Sequence, residues 1–289
     1  MTRSARLPML AVLIGLMALP AQAQRRCDNG TFKGIYGLSV FGTIINLPNF
    51  PLSGPIGRIA RSEADGAGRF LLDSFASYAG FPAAEPSDGT YTVNPDCSIT
   101  IIANAPPPVS RPVTFRGTIS EDGRYLNFLQ WDPQGTTVKA TAKQAKNLCS
   151  IHELVGNYSL ELKGLVVPPA QIGPVSFGNQ TLAGEYSQVG LIRMDPPYSC
   201  RPYCASFRGT VGANTIVSYA GVENEQSWSG TYTLNLDCSV NVRYSASTPA
   251  GNFDFEWWGV MVDDDREVRF IVTKPYLGPL VGTLTKQRP

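Results

Sequence analysis

The chain holds few residues whose types and spacing could do chemistry. His152 is the only histidine, so a Ser-His-Asp or Cys-His arrangement would have to use it. A zinc site needs three or four ligands from histidine, cysteine and carboxylate side chains, and disulfide formation would remove the cysteines from that set. We therefore predict a surface histidine, no catalytic residue, no metal site and no cofactor.

Three consecutive carboxylates, Asp263-Asp264-Asp265, are the second group that could bind a ligand. Clustered carboxylates attract hard cations such as Ca²⁺. The run lacks the spacing of a calcium-binding loop, and the aligned segment of the first copy, Glu121-Asp122-Gly123, reads as an ordinary acidic hairpin turn. We therefore favour an acidic hairpin turn over a calcium site.

The elements that must position such residues occur twice in the chain. Residues 89–99 read GTYTVNPDCSI, and residues 230–240 read GTYTLNLDCSV. Cys27 and Cys149 are each followed, at identical spacing, by a Gly-x-Tyr pair that ends at Tyr36 or Tyr158. The sequence therefore predicts two copies of one domain, at residues 24–148 and 149–289.

The repeat also predicts how the cysteines pair. Each copy begins with a cysteine and carries a second one in its GTYT motif. Disulfides are the default for an exported chain, and six cysteines could pair in many ways. The equivalence of the two copies selects the bridges Cys27–Cys97 and Cys149–Cys238.

An insertion in the second copy has no counterpart in the first. It contains Tyr198 and continues through Cys200, Tyr203 and Cys204. A redox role is disfavoured, because the cysteine spacing is not CxxC and no predicted helix follows to lower a thiol pKa. We predict a small Cys200–Cys204 disulfide that locks an exposed loop, with the two tyrosines on its surface.

The first residues have the pattern of a secretory signal peptide. Arg3 and Arg6 precede an apolar run at residues 7–19, and Ala21-Gln22-Ala23 is a small-x-small cleavage site. The run is too short to span about 30 Å of hydrocarbon, and no later segment suits a membrane span. We predict removal of residues 1–23 and a periplasmic or secreted bacterial protein.

The charge balance argues against nucleic acid as a partner. The formal net charge is +1, and it falls to −1 once Arg3 and Arg6 are removed. Binding to phosphate backbones requires a basic face. We therefore predict no nucleic-acid partner and no long-range attraction to anionic membranes.

Short alternating segments predict β-strands throughout the chain. Residues 90–93, 125–129 and 267–272 alternate with β-branched and aromatic residues, which is typical of half-buried strands. Turn signals such as Asp65-Gly66 and Asp122-Gly123 separate the segments. We predict two tandem antiparallel β-barrels of about eight strands each, with β-sandwiches as the alternative, because closure removes exposed sheet edges.

The repeated motifs resemble a large family of secreted bacterial proteins of uncharacterised function. The shared features are a cysteine followed by Gly-x-Tyr-x-Leu, the GTYTVNPDCS segment of residues 89–98, and a closing Lys-Gln. The second copy has Leu236 where the motif has proline. The resemblance covers residues 27–144 and 149–287, and it implies lipocalin-like or allene-oxide-cyclase-like β-barrels without implying a function.

Apolar residues in two loops are candidates for a ligand surface. Proline-rich segments carry Phe50 and Leu52 in the first copy, and Val166 and Val167 in the second. Such loops could rim the mouth of a barrel and gate an apolar cavity. Packing of the loops on the barrel end or on the other domain is the alternative.

An aromatic pair, Trp257-Trp258, has no parallel in the first copy. Neighbouring residues on a strand face opposite sides of the sheet. We therefore predict that one tryptophan points outward, either into the domain interface or toward a protein partner.

These patterns favour a non-catalytic binding or structural module, with a small apolar ligand held in a barrel or a protein partner at exposed aromatic residues. One alternative is an isomerase or cyclase of the allene-oxide-cyclase type, which could work with a single carboxylate and apolar walls. Another is a cell-surface or protein-interaction module with filled barrels. A buried carboxylate with a raised pKa inside a cavity would favour the enzyme, and a filled interior would favour the surface module.

Overall fold

A computed structural model describes residues 26–45, 53–105, 110–150, 152–166, 176–177, 180–181, 183–198, 205–248, 251–275 and 277–288. The only helical element in this part of the chain is a 3₁₀ turn, Asn29–Thr31. No helix among these residues is long and apolar enough to cross a membrane. Outside the described residues lie the predicted signal peptide and six residues of the predicted sites: Phe50, Leu52, Val167, Cys200, Tyr203 and Cys204.

Nine strands form the first domain. They are β1 (Lys33–Ile44), β2 (Gly54–Asp65), β3 (Arg69–Tyr78), β4 (Phe81–Ala84), β5 (Ser87–Val93), β6 (Ser98–Asn104), β7 (Pro112–Ile119), β8 (Tyr125–Asp132) and β9 (Thr136–Ala145).

Ten strands form the second domain. They are β10 (Gly156–Val166), β11 (Ser176–Phe177), β12 (Gln180–Thr181), β13 (Gly184–Met194), β14 (Ser206–Tyr219), β15 (Val222–Asn235), β16 (Ser239–Thr248), β17 (Gly251–Val262), β18 (Glu267–Lys274) and β19 (Leu280–Lys286).

Both domains are closed antiparallel barrels of eight strands. In the first barrel β1 pairs with β2 and β9, while β3 pairs with β2 on one side and with β4 and β5 on the other. In the second barrel β10 pairs with both β13 and β19. The predicted barrels are confirmed, and the sandwich alternative is wrong.

Side-chain alternation explains where the two cores lie. Along β10 the residues Tyr158, Leu160 and Leu162 are buried inside the barrel, and the residues between them are exposed. A strand with one solvent-exposed face follows this two-residue period. Each barrel therefore has its own apolar interior.

The N-terminal segment closes one end of the first barrel. Phe32 packs against Tyr36 and Tyr91, with ring centroids 4.7 and 4.8 Å apart. The hydroxyl of Tyr36 donates to the Gly123 carbonyl at 2.8 Å, and that of Tyr91 donates to the Phe32 carbonyl at 2.7 Å. At the opposite end of the barrel β1 ends and β2 begins.

Two disulfides tie these segments to the barrels. Cys27 is bonded to Cys97, and Cys149 to Cys238, over sequence separations of 70 and 89 residues. The chain-entropy model assigns about 4 kcal/mol to loops of this size. Two structural disulfides are the pattern of an oxidising, extracellular location.

The two barrels pack directly against each other through an apolar patch. Residues 257–262 of β17 and 268–272 of β18 are buried on both faces, because one face lines the second barrel and the other meets the first. Trp258 lies on the contact face, with its ring centroid 5.3 Å from that of Phe75. The buried residues of this patch are Ile59, Trp258, Val260, Val262, Ile271 and Val281.

A buried arginine adds polar contacts between the barrels. Arg269 in β18 is 6% exposed, and its Nη1 donates to the carbonyls of Gly37 and Thr141 at 3.2 and 2.8 Å. Its Nε forms an ion pair with Glu267 at 2.8 Å. Buried charges are retained only when they are paired and hydrogen-bonded, so this arrangement fixes the relative position of the two domains.

Candidate ligand site in the first barrel

A cluster of charged and polar side chains lies inside the first barrel. Arg58 is on β2, Tyr78 ends β3, and Glu85 lies between β4 and β5. Arg58 shares the inward face of β2 with Ile56 and Ala60, which are buried, as strand alternation requires. Two strands and the segment between β4 and β5 therefore bring one cation, one phenol and one carboxylate together.

Short hydrogen bonds connect the three side chains. Arg58 Nη2 donates to the Tyr78 hydroxyl at 2.7 Å and forms an ion pair with Glu85 Oε2. The Tyr78 hydroxyl donates to the same carboxylate oxygen at 2.8 Å. Glu85 is only 2% exposed. The three side chains form a buried polar cluster in an otherwise apolar interior.

A break in the strand places Glu85 inside the barrel. Pro86 follows it and has no N–H group for the sheet ladder, and pairing stops between Ala84 and Ser87. Ser74 on β3 holds the interrupted segment, because it accepts from the Glu85 N–H at 2.8 Å and donates its hydroxyl to the Glu85 carbonyl at 2.7 Å. The carboxylate therefore projects from a fixed backbone.

Burial changes the acidity of two members of the cluster. Desolvation raises the pKa of the Glu85 carboxyl above its ordinary value, while the Arg58 charge and the Tyr78 hydrogen bond act in the opposite direction. Desolvation also raises the pKa of Tyr78 to about 12, so the phenol remains protonated at neutral pH. A carboxyl with a raised pKa is suited to proton transfer if a substrate reaches it.

Two adjoining cavities flank the Arg58 side chain. One has a volume of about 50 Å³ and extends toward Phe32 at the closed end. The other has a volume of about 60 Å³ and extends toward Ile44 at the opposite end, with Tyr78 in its wall. The residues that line both cavities are Val40, Arg58, Ala103 and Phe115.

Several buried polar atoms at this site have no hydrogen-bond partner among the described residues. They are Arg58 Nε, Glu85 Oε1, Ser87 Oγ and Thr136 Oγ1. Arg58, Ser87 and Thr136 line the same cavity, the one toward Ile44. An unsatisfied buried polar group costs about 1–3 kcal/mol, so a bound molecule that supplies partners would stabilise the site.

The second barrel carries a neutral version of the same cluster. Register matches Arg58, opposite Ala76, to Gln188, opposite Val217. The repeat alignment matches Tyr78 to Tyr219 and Glu85 to Gln226. Here Gln188 Nε2 donates to the Thr215 hydroxyl at 3.0 Å, and Gln226 Nε2 lies 3.4 Å from the Tyr219 hydroxyl. The phenol is kept, and the ion pair is replaced by two amides.

Aromatic side chains fill the second barrel where the first has small ones. Ser87 and Ala103 correspond to Trp228 and Tyr244. Those two rings are stacked with centroids 3.8 Å apart. The cavity-lining Phe115 corresponds to the larger Trp257, whose ring stacks on Phe270 at 4.3 Å. The ion pair and the small side chains at these positions therefore distinguish the first barrel from the second.

The histidine and the three aspartates singled out in the sequence lie on the surface and in a turn. His152 is exposed. Asp263, Asp264 and Asp265 form a turn with positive φ at the contact between the barrels. Asp263 accepts from the hydroxyl of Tyr125 at 3.1 Å, and Asp264 and Asp265 form ion pairs with Arg124 and Lys146. This is the acidic turn that the sequence predicts, and its carboxylates bind cationic side chains.

One group of possible metal ligands, Cys149, Glu153 and Asp265, lies close together. The sulfur of Cys149 is bonded to Cys238 and so offers no thiolate. Glu153 and Asp265 both form ion pairs with Lys146. The ordinary interpretation of this group is an ion-pair cluster.

The predicted partner surface needs correction at Val166 and Trp257, whereas the alternative that one tryptophan points into the domain interface is confirmed at Trp258. Val166, Trp257 and Trp258 are 5%, 1% and 8% exposed, so they offer no surface to a partner. Val166 and Trp257 face the interior of the second barrel. Trp258 points outward, but the first barrel covers it. Tyr198 is exposed and is the remaining described member of that set.

Sequence reasoning missed Arg58, Tyr78 and Glu85. One signal for Glu85 was present, since positions 91, 89, 87 and 85 share the inward face if Tyr91 faces the core. A carboxylate followed by proline at such a position is unusual. No pattern in the sequence indicated that Arg58 would lie opposite to it.

No protein-family model matches the chain, and neither does any curated protein. The resemblance to secreted bacterial barrels therefore stays a prediction. The functional interpretation therefore rests on the cavities and the ion pair of the first barrel.

Proposed function

We propose that the protein is an exported binding protein that holds a small, largely apolar molecule in its first barrel. The observation that carries the proposal is the contrast between two copies of one fold. The first has cavities of about 50 and 60 Å³ beside a buried ion pair. At matched positions the second has stacked aromatic rings and amides.

The composition of the cavity wall supports this proposal. Ligand sites are typically apolar with a few polar groups that orient the ligand. The cavity toward Ile44 combines apolar residues such as Val113 and Val138 with the polar side chains of Arg58, Ser87 and Thr136. The second barrel would serve as a rigid support, since its aromatic interior and interface contacts hold the first in place.

The end of the barrel toward Ile44 is the proposed entrance. Strand β1 ends and β2 begins there, and β6 ends and β7 begins at the same end. Phe50 and Leu52 belong to the sequence between β1 and β2. Their role in gating the cavity stays a prediction.

Native mass spectrometry tests the proposal. The protein is purified gently from its host, with and without an organic extraction step, beside the variant Ser87→Trp/Ala103→Tyr, which carries the residues of the filled barrel. We expect a small co-purifying mass in the wild type that extraction removes and that the variant lacks. The absence of such a mass, or its retention by the variant, would overturn the proposal.

An isomerase or cyclase is the second candidate function, and Glu85 is the observation that favours it. Burial raises the pKa of this carboxyl, and Arg58, its ion-pair partner, lines both cavities. Such a group could move a proton within a bound substrate. Once a ligand is identified, Glu85→Gln should still bind it but lose conversion; unchanged conversion would exclude Glu85 as the acid or base.

A further inference from the structure

We infer that the ligand is an uncharged molecule with one oxygen function, a carbonyl or a hydroxyl, on a compact hydrocarbon frame. This inference rests on the proposed binding function of the first barrel. It deepens that function by specifying the charge, the polar group and the size of the occupant.

The charges at the site favour an uncharged occupant. Arg58 and Glu85 are oppositely charged and form a direct ion pair, so the pair is already compensated. A carboxylate ligand would place a second anion near Glu85, and an ammonium ligand would place a second cation near Arg58. Either would bury one uncompensated charge, which is strongly unfavourable in an apolar interior.

The unpaired polar atoms favour a ligand with an oxygen atom. Arg58 Nε can only donate a hydrogen bond, whereas the hydroxyls of Ser87 and Thr136 can donate or accept. None of these three atoms has a partner among the described residues, and all three residues line one cavity. A carbonyl or hydroxyl oxygen can accept from such donors, but a pure hydrocarbon would leave them unsatisfied.

The size of the cavities limits the frame of the ligand. An apolar cavity of about 150 Å³ takes up benzene, and the two spaces beside Arg58 are about 50 and 60 Å³. By that measure each cavity holds about two non-hydrogen atoms and the two together hold about four, which suits a very small molecule or the end of a longer chain. The walls at Val40, Ala103 and Phe115 are apolar, which matches a hydrocarbon frame.

Arg111, near the proposed entrance, would favour an anionic ligand over an uncharged one. The test therefore includes a variant of this residue. Arg111 lies beside Ala105, whose N–H donates to the Arg111 carbonyl at 3.3 Å, and Ala105 lines the cavity. Nη2 of Arg111 is buried without a partner among the described residues. A carboxylate ligand would be expected to use this guanidinium, and an uncharged ligand would not.

Four probes of similar shape separate these cases in NMR titrations of the full-length mature protein. They are acetone, its hydrocarbon isostere 2-methylpropene, acetate and isopropylammonium. We expect acetone to bind about tenfold more tightly than each of the other three. The shifted methyl signals should belong to Val40, Ala103 and Val138 in the first barrel.

Variants of the cavity wall test the hydrogen bonds. Ser87→Ala and Thr136→Val should each weaken acetone binding about fivefold without weakening 2-methylpropene binding. Thr137→Val is the matched control, because Thr137 is the next residue and is exposed on the outer wall. Arg111→Gln should leave acetone binding unchanged.

The outcomes distinguish the inference from the function on which it rests. Equal or tighter binding of the hydrocarbon or of a charged probe in the first barrel would overturn the uncharged oxygen ligand and leave the binding function standing. Carboxylate binding that is lost in Arg111→Gln would replace it with an anionic ligand. No shift in the first barrel with any probe would overturn both.

Discussion

Arg58 and Glu85 depend on each other, because removing either partner leaves a buried charge unpaired. We expect Arg58→Gln to lower the free energy of unfolding by about 3 kcal/mol, and Glu85→Gln to lower it less, because burial already favours the neutral carboxyl. The double variant reproduces the Gln188 and Gln226 pair of the second barrel, which is compatible with a folded interior.

A double-mutant cycle by chemical denaturation measures this coupling. The double variant should recover most of the stability that each single variant loses. If the two losses simply add, the residues do not act as a pair and the described cluster is wrong.

Glu85 also determines how stability depends on pH. Since burial raises its pKa in the folded protein, the folded state binds this proton more tightly than the unfolded chain does. Its stabilising contribution is therefore complete below the ordinary glutamate pKa of 4.5 and is lost as the pH rises through the raised value.

The measurement is the free energy of unfolding between about pH 4 and 7. We expect a smaller decline with rising pH in Glu85→Gln than in the wild type. An equal or steeper decline in the variant would show that the pKa of Glu85 is not raised by folding.

Among the strands, β1 approaches the second barrel so closely that Gly37 has no room for a side chain. A Cβ atom at this position would lie 2.3 Å from Val262 Cγ1 across the interface. Gly37→Ala should therefore lower the free energy of unfolding by about 1–3 kcal/mol.

Gly212 in β14 is the matched control for this substitution. A Cβ atom there would meet nothing within 4 Å, so Gly212→Ala should have little effect or a small stabilising one. Equal losses for the two variants in thermal or chemical denaturation would contradict the described packing at Gly37.

The strands were largely predictable from the sequence, because local patterns determine them. The candidate site was not, because it depends on contacts between distant segments. The repeat located equivalent strands, and alternation in segments such as residues 267–272 identified them. The disulfides Cys27–Cys97 and Cys149–Cys238 followed from the same equivalence. The Arg58–Glu85 contact depends on the register of β2 against β3 and on the strand break at Pro86, which no local pattern fixes.

The same limit explains why the sequence left open what surrounds the outward tryptophan. Alternation predicted that Trp257 and Trp258 face opposite sides, and they do. Whether the outward side is exposed depends on what covers it, and the covering residue, Phe75, belongs to the other barrel. The sequence of a strand does not show whether another domain covers its outward face.

The two barrels should behave as one rigid molecule because they share a buried apolar patch. Trp258 is the largest side chain of this patch, so Trp258→Ala should lower the free energy of unfolding by about 3–5 kcal/mol. We expect this variant to unfold in two calorimetric transitions where the wild type shows one. Trp131→Ala is the control, because Trp131 is 59% exposed on the outer wall; a similar loss there would contradict the interface assignment.

The division between a hollow first barrel and a filled second one is the central claim, and a crystal structure under xenon pressure tests it most directly. Xenon enters apolar cavities without needing polar partners. We expect xenon beside Val40, Ala103 and Phe115 in the first barrel, none within the aromatic interior of the second, and none in either barrel of Ser87→Trp/Ala103→Tyr. Xenon in the second barrel, or its absence from the first, would contradict this account.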